Sequence, residues 1–175
     1  LGASYKSRTY MARFEQYAGL FASQGGFDIP ESFNVGLAFT PRTDLTTTFD
    51  VEHINYGAVK SIANPLLPNI MSAPLGNTQG AGFGWRDMTV YKLGFQWQQN
   101  EQWTWRAGVS YGAQPIRSNQ VLFNILAPGV QEWHATTGFS HAFNKQDELS
   151  FAFMYSPNSA VRGANPLSPT QTIKL

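Results

Sequence analysis

Apolar and polar residues alternate along most of the chain, with the two-residue period that is typical of β-strands. In the segment 91–111, Tyr91, Phe95, Trp97, Trp105 and Tyr111 all have odd numbers, while amides, glycines and charges occupy even positions on either side of the polar turn. Helical spacing does not recur. The alternation predicts seven strands, at 1–13, 31–41, 45–57, 87–99, 102–114, 130–143 and 148–157.

The connections between these segments alternate in length. Tight polar turns at 41–44, 100–102 and 144–147 are typical of β-hairpins. The other connections are long and rich in Gly, Pro, Asn and Ser, at 15–30, 58–86, 115–129 and 158–170. The sequence therefore predicts a meander of antiparallel strands, with short turns at one end of the sheet and long loops at the other.

Two environments fit a sheet with one apolar face. Within the bodies of the predicted strands, every charged residue lies on the even-numbered face. In a soluble barrel or sandwich the odd face would be the interior, as in a lipid-binding cup. In a membrane barrel the odd face would meet lipid and the even face would line a polar lumen.

The balance of residues favours the membrane barrel. Aromatic residues make up 14% of the chain and charged residues only 13%, whereas about a quarter of an average soluble domain is charged. The strands reach the roughly 9–11 residues that span a bilayer when tilted. Aromatic residues also concentrate beside the tight turns, as an interfacial girdle requires: Phe39, Trp97, Trp103, Trp105 and Phe143. The predicted fold class is all-β, an antiparallel transmembrane β-barrel.

Composition excludes several other classes of protein. The chain has no cysteine, so it contains neither disulfides nor thiolate metal sites, and its net charge of +1 gives no basis for nucleic-acid binding. No apolar run approaches the roughly 20 residues of a membrane helix. No signal peptide is visible, and the chain opens within a predicted strand, which indicates a piece of a longer protein.

Four segments of the chain together carry a family resemblance: GGFDIPESFNVGLAFTP (25–41), GAGFGWRDMTVYKLGFQWQQNEQWTWRAGVSYGAQPI (80–116), SNQVLFNILAPGVQEWHATTGFSHAF (118–143) and the closing NPLSPTQTIKL. The first three resemble the FadL/TodX family of outer-membrane transport proteins, and the last is similar to the approach to that family's final strand. The resemblance implies a fourteen-stranded barrel in the Gram-negative outer membrane, plugged by an N-terminal hatch. It also implies passive uptake of long-chain fatty acids or other hydrophobic compounds, such as aromatic hydrocarbons.

On this resemblance, residues 1–175 are expected to form the C-terminal portion of a single barrel domain, without the hatch and the final strand. The short turns would be periplasmic and the long loops extracellular. The expected partners are a long-chain fatty acid or another hydrophobic small molecule and the lipid of the outer membrane. The expected assembly is a monomeric barrel that binds no nucleic acid.

Charged residues on the even face form the first candidate site. They are Lys6, Arg8, Asp50, Glu52, Lys92, Arg106, Glu132 and His134. Because neighbouring predicted strands carry opposite signs (Asp50 and Glu52 beside Lys92, and Lys92 beside Arg106), one hypothesis is a ladder of salt bridges across the lumen wall that anchors a plug. The other is that the cations guide the carboxylate of a fatty acid.

Uncharged apolar residues in two long loops form the second candidate site. They are Leu66, Leu67, Ile70, Met71, Phe83 and Trp85 in one loop, and Leu122, Phe123 and Ile125 in the next. A loop that faces water has little reason to expose so much apolar area. The residues are therefore expected either to capture a ligand at the extracellular mouth or to pack against neighbouring loops and the lipid headgroup zone.

Two alternative functions stay open at this point, a soluble β-barrel that binds hydrophobic ligands and a barrel lipase. Ser110 and His134 share the even face, but so many serines make that coincidence unremarkable. The histidines His53, His134 and His141 fit no metal motif, and no Lys-Ser/Thr follows GAGFGW, so it is not a phosphate loop. The sequence predicts no catalytic residue, metal or cofactor.

Overall fold

A computed structural model, which describes residues 1–175, contains a seven-stranded antiparallel sheet and a separate two-stranded sheet. The strands of the large sheet follow chain order: β1 (Gly2–Lys6), β2 (Ser32–Arg42), β3 (Leu45–Ile54), β4 (Met88–Gln98), β5 (Trp103–Gly112), β6 (Trp133–Ala142) and β7 (Glu148–Tyr155). The small sheet pairs β8 (Arg162–Asn165) with β9 (Ser168–Lys174). The large sheet is an open meander, which confirms the predicted all-β antiparallel architecture.

The pairing register keeps the two faces of the large sheet separate. Odd residues pair with odd residues in every hairpin, as in Trp97 with Trp105 and Tyr91 with Tyr111. Since side chains alternate along a strand, this register places all the odd side chains on one face and all the even ones on the other. The one irregularity, between Phe39 and Arg42, lies beside the first tight turn.

The two later hairpin turns are built by the same device. The side-chain oxygen Oδ1 of Asn100 accepts hydrogen bonds from the backbone N–H groups of Gln102 and Trp103, at 2.9 and 2.8 Å. Asn144 does the same for Gln146 and Asp147, at 2.7 and 3.0 Å. An asparagine that bonds the backbone two and three residues ahead stabilises a tight turn, so these positions set the ends of β4 and β6.

Two predicted segments differ from the structure. The first strand ends at Lys6 rather than at 13, and the later part of that segment is tied to the following loop by an isolated bridge between Thr9 and Ile29. Residues 158–170, predicted as a long loop, contain β8 and the start of β9. Alternation alone could not predict either difference, because both depend on contacts with other loops of the chain.

The long connections fold together into what we call the loop cap, residues 7–31, 55–87, 113–132 and 156–175. It contains short helical segments at Glu15–Tyr17, Ala22–Gly25, Tyr56–Ala58, Lys60–Ala63, Asn69–Ser72, Ser118–Gln120 and Phe123–Ile125. All but two of the 22 buried residues lie in the cap, the exceptions being Gly112 and Ser140. The hydrophobic core of this chain is therefore in its loops rather than on its sheet. None of these helical segments has the length and apolar character of a membrane-spanning helix.

Candidate functional site

The odd face of the sheet presents its large apolar side chains to the surroundings. The exposed ones in β2 to β7 are Phe33, Val35, Leu37, Phe39, Phe49, Tyr91, Leu93, Phe95, Trp97, Trp105, Val109, Trp133, Leu149, Phe151, Phe153 and Tyr155. Only one exposed large apolar residue of these strands, Met154, is on the even face. A continuous apolar surface of this kind needs a partner, and a bilayer supplies one.

Tryptophans border this face beside the short turns. Trp103 and Trp105 stack with ring centroids 5.6 Å apart, and Phe139 lies 5.5 Å from each. The indole N–H of Trp97 donates to Asp44 at 3.0 Å and that of Trp105 donates to Gln99 at 2.9 Å. An apolar ring with its polar atom bonded at the turn suits a membrane interface, as the sequence predicted.

A second aromatic band crosses the opposite end of the same face, and the sequence analysis did not identify it. The register places Tyr91, Tyr111 and Trp133 side by side in one row, with the rings of Tyr111 and Trp133 4.6 Å apart. Six residues separate Tyr91 from Trp97, or about 20 Å along a strand. The signal was present as tyrosines at the loop ends of the strands, but only the register aligns them. The two bands border the apolar stretch of this face, as aromatic girdles border the lipid-facing band of a membrane barrel.

The even face is polar and contains a recess of about 800 Å³. Small residues form its floor, because the register aligns Thr48, Gly94, Gly108 and Thr136 in one row. A Cβ added at Gly94 would lie 2.7 Å from the hydroxyl oxygen of Thr48, and one at Gly108 would lie 2.9 Å from that of Thr136. Larger side chains at these two glycines would therefore fill the recess and displace its threonines.

The predicted ladder of salt bridges forms at a single rung. Lys92 Nζ contacts Glu52 Oε2 at 2.7 Å, although Asp50 is its direct register partner. Arg106 does not neighbour Lys92, as the sequence analysis expected, because its register partners are Gln96 and Gly138. The side chains pair by depth along the strands, and Arg106 lies four residues nearer the short turns than the residue opposite Lys92, Ser110.

Arg106 is an exposed cation with neutral partners. Its Nε donates to Gln96 Oε1 at 3.0 Å and its Nη1 donates to Ser140 Oγ at 2.8 Å. Ser140 in turn shares a hydrogen bond of 2.8 Å with Ser150. The guanidinium carries five N–H donors, so three of them stay free on the wall of the recess, and Arg106 makes no salt bridge.

The other predicted lumen charges lie in different surroundings. Lys6 is at the end of β1 opposite Ser32, and His134 is in β6 opposite Ser110 and lines the recess. Arg8 belongs to the loop cap, where it contacts Asp28 at 2.8 Å and donates to the carbonyl of Ala58 at 2.9 Å. Glu132 precedes β6 and accepts a hydrogen bond from the backbone N–H of Gln114 at 3.0 Å. Arg8 and Glu132 thus connect loops rather than line the recess.

The loop cap is organised around Asn124, which is fully buried. Its Oδ1 accepts a hydrogen bond from the indole N–H of Trp85 at 2.6 Å. Its Nδ2 donates to the carbonyls of Phe83 and Gln120, both at 2.7 Å. A small apolar core of Ile116, Val121, Val130 and Val161 lies beside it, with Trp85 packed against that core. One amide therefore joins two loops that are about forty residues apart in the chain.

The predicted mouth residues divide into two groups. Leu66 and Phe83 are buried, and Trp85, Leu122 and Phe123 are partly buried; the rings of Phe83 and Phe123 stack 5.0 Å apart. Leu67 is also half-buried, but Ile70, Met71 and Ile125 are exposed, Met71 to 84% and Ile125 to 55%. The structure thus brings the two loops together. The buried group packs inside the cap. The exposed residues, together with the neighbouring Leu126, form what we call the apolar rim.

Hydrogen bonds and burial shift the pKa values of two groups in the loop cap, Glu31 and Tyr56. Hydrogen bonds donated by Tyr5 and Asn55 to Glu31, at 2.8 and 2.7 Å, lower the pKa of that carboxyl group. Burial beside Trp85, and then the charge of Glu52, raise the pKa of the Tyr56 phenol. Both shifts favour the charge state that the group already has at neutral pH, with Glu31 ionised and Tyr56 neutral.

Comparison with known proteins gives the same fold. The crystal structure of the Pseudomonas putida toluene transporter TodX matches with a TM-score of 0.55 and 19% identity, over 78% of this chain and 30% of that one. A Pseudomonas aeruginosa FadL homologue matches with a TM-score of 0.54 and 17% identity, over 80% of this chain and 30% of that one. The Ralstonia pickettii toluene transporter TbuX matches with a TM-score of 0.51 and 18% identity, over 75% of this chain and 29% of that one. The chain thus spans about 30% of the length of these structures.

The family comparison is broader in coverage. No curated protein sequence matches this chain, but residues 3–167 match the model of the family described as outer membrane protein transport protein (OMPP1/FadL/TodX). Its members are transport channels of the bacterial outer membrane. This match agrees with the apolar odd face, the aromatic bands and the polar even face. The chain therefore belongs to the OMPP1/FadL/TodX family of outer-membrane transport proteins.

Proposed function

We propose that this chain is the C-terminal part of a channel that takes up hydrophobic small molecules passively, with long-chain fatty acids as its main cargo. One observation carries the proposal: an exposed apolar rim stands on the loop cap at the end of a wall whose even face is polar. A hydrophobic solute dissolves poorly in water, so a rim that binds it would raise its local concentration at the channel entrance.

The rim consists of side chains that the cap leaves exposed while burying their neighbours. Ile70 and Met71 come from one loop and Ile125 and Leu126 from the next, with Leu126 exposed to 68%. The aromatic residues beneath them are fixed by packing. Flexible thioether and aliphatic side chains over a fixed aromatic base can adapt to apolar chains of different shape.

Arg106 favours a cargo with a carboxylate. It lines the recess on the even face, three of its five N–H donors have no hydrogen-bond partner, and it forms no salt bridge. A guanidinium binds a carboxylate through short charge-assisted hydrogen bonds. A fatty acid that enters along the apolar rim would therefore find a partner for its head group on the polar wall.

Neutral monoaromatic hydrocarbons are the second candidate cargo. Phe21, Phe27, Phe83 and Phe123 form an aromatic cluster in the loop cap, with centroid separations of 5.4 Å for Phe21 and Phe27 and 6.3 Å for Phe27 and Phe83. Edge-to-face surroundings of this kind suit a small aromatic ring. Two of the similar structures are toluene transporters.

Uptake of labelled oleate and labelled toluene by cells that express the complete protein tests the proposal. We expect the double variant Met71→Ser/Ile125→Ser to slow uptake of both compounds, because both pass the rim. Leu167→Ser is the matched control, since Leu167 is an apolar loop residue exposed to 80% outside the rim. If the double variant transports both compounds at the wild-type rate, the rim is not the entrance.

Arg106→Gln separates the two cargoes. We expect about a tenfold loss of oleate uptake, from the loss of one charged hydrogen-bonding group, and no change in toluene uptake. Equal loss of both would indicate a structural role for Arg106. No loss of either would leave toluene-like solutes as the better cargo.

A further inference from the structure

Positive charge predominates in three of the long connections of the loop cap, in a way that the transport proposal does not use. The segments 58–86, 115–131 and 158–175 contain five cations and no Asp or Glu, whereas the whole chain is nearly balanced, with 12 cations and 11 acids. The five are Lys60, Arg86, Arg117, Arg162 and Lys174. The two acids that border these segments are occupied: Asp87 accepts from the backbone of Gly57 and Glu132 from that of Gln114.

Two of these cations face each other without a counter-ion. Arg162 in β8 and Lys174 in β9 are direct register partners, and both are exposed. Like charges placed directly opposite each other across two strands destabilise the pair. The salt bridges of the chain all involve other residues, at Arg8, Arg42 and Lys92. The small sheet therefore holds a repulsive pair that an external anion would relieve.

A cleft of about 570 Å³ lies beside Arg162. Arg162 lines it together with Ser118 and Asn119, which supply a hydroxyl and an amide. The two walls are fixed against each other, since a Cβ added at Gly163 would lie 1.6 Å from the carbonyl oxygen of Ser118. Arg117 is exposed and directly precedes Ser118 in the chain, so it adds a third cation to the same loop.

We propose that Arg117, Arg162 and Lys174 bind the phosphorylated headgroup of a glycolipid in the outer leaflet of the outer membrane. Long loops of such barrels are on the extracellular side, where this cap would meet that leaflet. Basic pockets beside a membrane bind phosphorylated headgroups, and arginine matches phosphate geometry with two parallel hydrogen bonds. The hydroxyl and amide groups of the cleft suit the sugar that carries the phosphate.

Binding measurements on the complete protein in detergent test this site. The probes are diphosphoryl lipid A, the same lipid without its phosphates, and inorganic phosphate. We expect tight binding of the diphosphoryl form only, and about a tenfold weaker affinity in Arg162→Gln, because a charged hydrogen-bonding group is lost. Arg117→Gln/Arg162→Gln is expected to weaken binding further, and Arg162→Lys to retain part of it.

Lys145→Gln is the matched control, because Lys145 is an exposed cation in a short turn at the other end of the sheet. Equal binding by Arg162→Gln and wild type would overturn the proposal, as would equal binding of the dephosphorylated lipid. If inorganic phosphate binds as tightly as diphosphoryl lipid A, the ligand is not a lipid headgroup and the proposal is overturned. Oleate uptake is expected to be unchanged in Arg162→Gln, so this site and the transport proposal fail independently.

Discussion

The large sheet and the loop cap place their apolar side chains in opposite ways. On the sheet, Phe, Trp and Leu side chains of the odd face stay exposed, and only Gly112 and Ser140 are buried. In the cap, apolar residues such as Val59, Ile116 and Val121 are almost fully enclosed by protein. The cap has the interior of a small soluble domain, whereas the sheet has an exterior whose solvent is lipid.

This difference predicts which region each substitution will damage. Changes in the cap should act through packing and buried hydrogen bonds, as in soluble proteins. Changes on the odd face should act through transfer of charge into lipid, and changes on the even face through local ion pairs. Four substitutions test the separation, in order of decreasing expected effect.

The largest expected effect follows from Asn124→Ala. Removal of the amide leaves the carbonyls of Phe83 and Gln120 and the indole N–H of Trp85 without their buried partner. Because each unsatisfied buried group costs about 1–3 kcal/mol, we expect the cap to lose about 4 kcal/mol of local stability. Hydrogen exchange of cap amides measures the loss. Asn119→Ala, in an exposed position of the same loop, is the control; equal exchange in both variants would refute the role of Asn124.

Leu93→Arg is expected to destabilise the sheet by about 2–4 kcal/mol, the cost of a charge that faces lipid near the middle of the bilayer. Met154→Arg is the matched control, because Met154 is exposed on the even face in the row next to that of Leu93. Unfolding of the complete protein in lipid vesicles gives both free energies. Equal losses would contradict the assignment of the odd face to lipid.

A smaller effect is expected for Lys92→Gln, which removes the ion pair with Glu52. The two side chains are 43% and 27% exposed, so solvent screening limits the loss to about 0.5–1 kcal/mol. Raising the salt concentration should lower the unfolding free energy of the wild type towards that of the variant, because salt screens the ion pair. Thr46→Ser, on the same strand face, serves as a control. A salt-independent difference would mean that Lys92 acts through packing.

The smallest effect is expected for Asp44→Asn in the first short turn. Hydrogen bonds from Arg42 above all, and from Trp97, lower the pKa of Asp44 from 3.8 to about 2. A lowered folded-state pKa adds stability that is complete above pH 3.8 and is lost as the pH falls through 2. The difference in unfolding free energy between wild type and variant should therefore shrink as the pH is lowered from 3.8 to about 2. Glu101→Gln, in the next turn, is the control for effects of low pH on exposed carboxyl groups in general.

The pattern of alternation was sufficient for the sheet, because the period of two fixes which side chains share a face. It predicted β2 to β7 closely, the tight turns and the aromatic residues beside them. The early end of β1 and the small sheet β8–β9 were not predicted, since the bridge from Thr9 to Ile29 and the contact of Gly163 with Ser118 join distant parts of the chain.

The candidate site was only partly accessible to sequence. The charges and the apolar loop residues could be selected by type and face, but their partners depend on register and loop packing. Lys92 therefore reaches Glu52 rather than Asp50, Arg106 stands alone with Gln96 and Ser140, and Phe83 packs inside the cap while Met71 stays exposed.

The sequence by itself determined the two faces of the sheet and the kind of surroundings that each face requires, because side-chain alternation is a local property of the extended backbone. Only the tertiary structure decided how the long loops, which have no periodicity, fold together and how two of them join at Asn124. It also decided which apolar residues remain on the rim and where the unpaired cations of the cap stand. Those positions depend on contacts between residues that are far apart in the chain, and no local pattern records them.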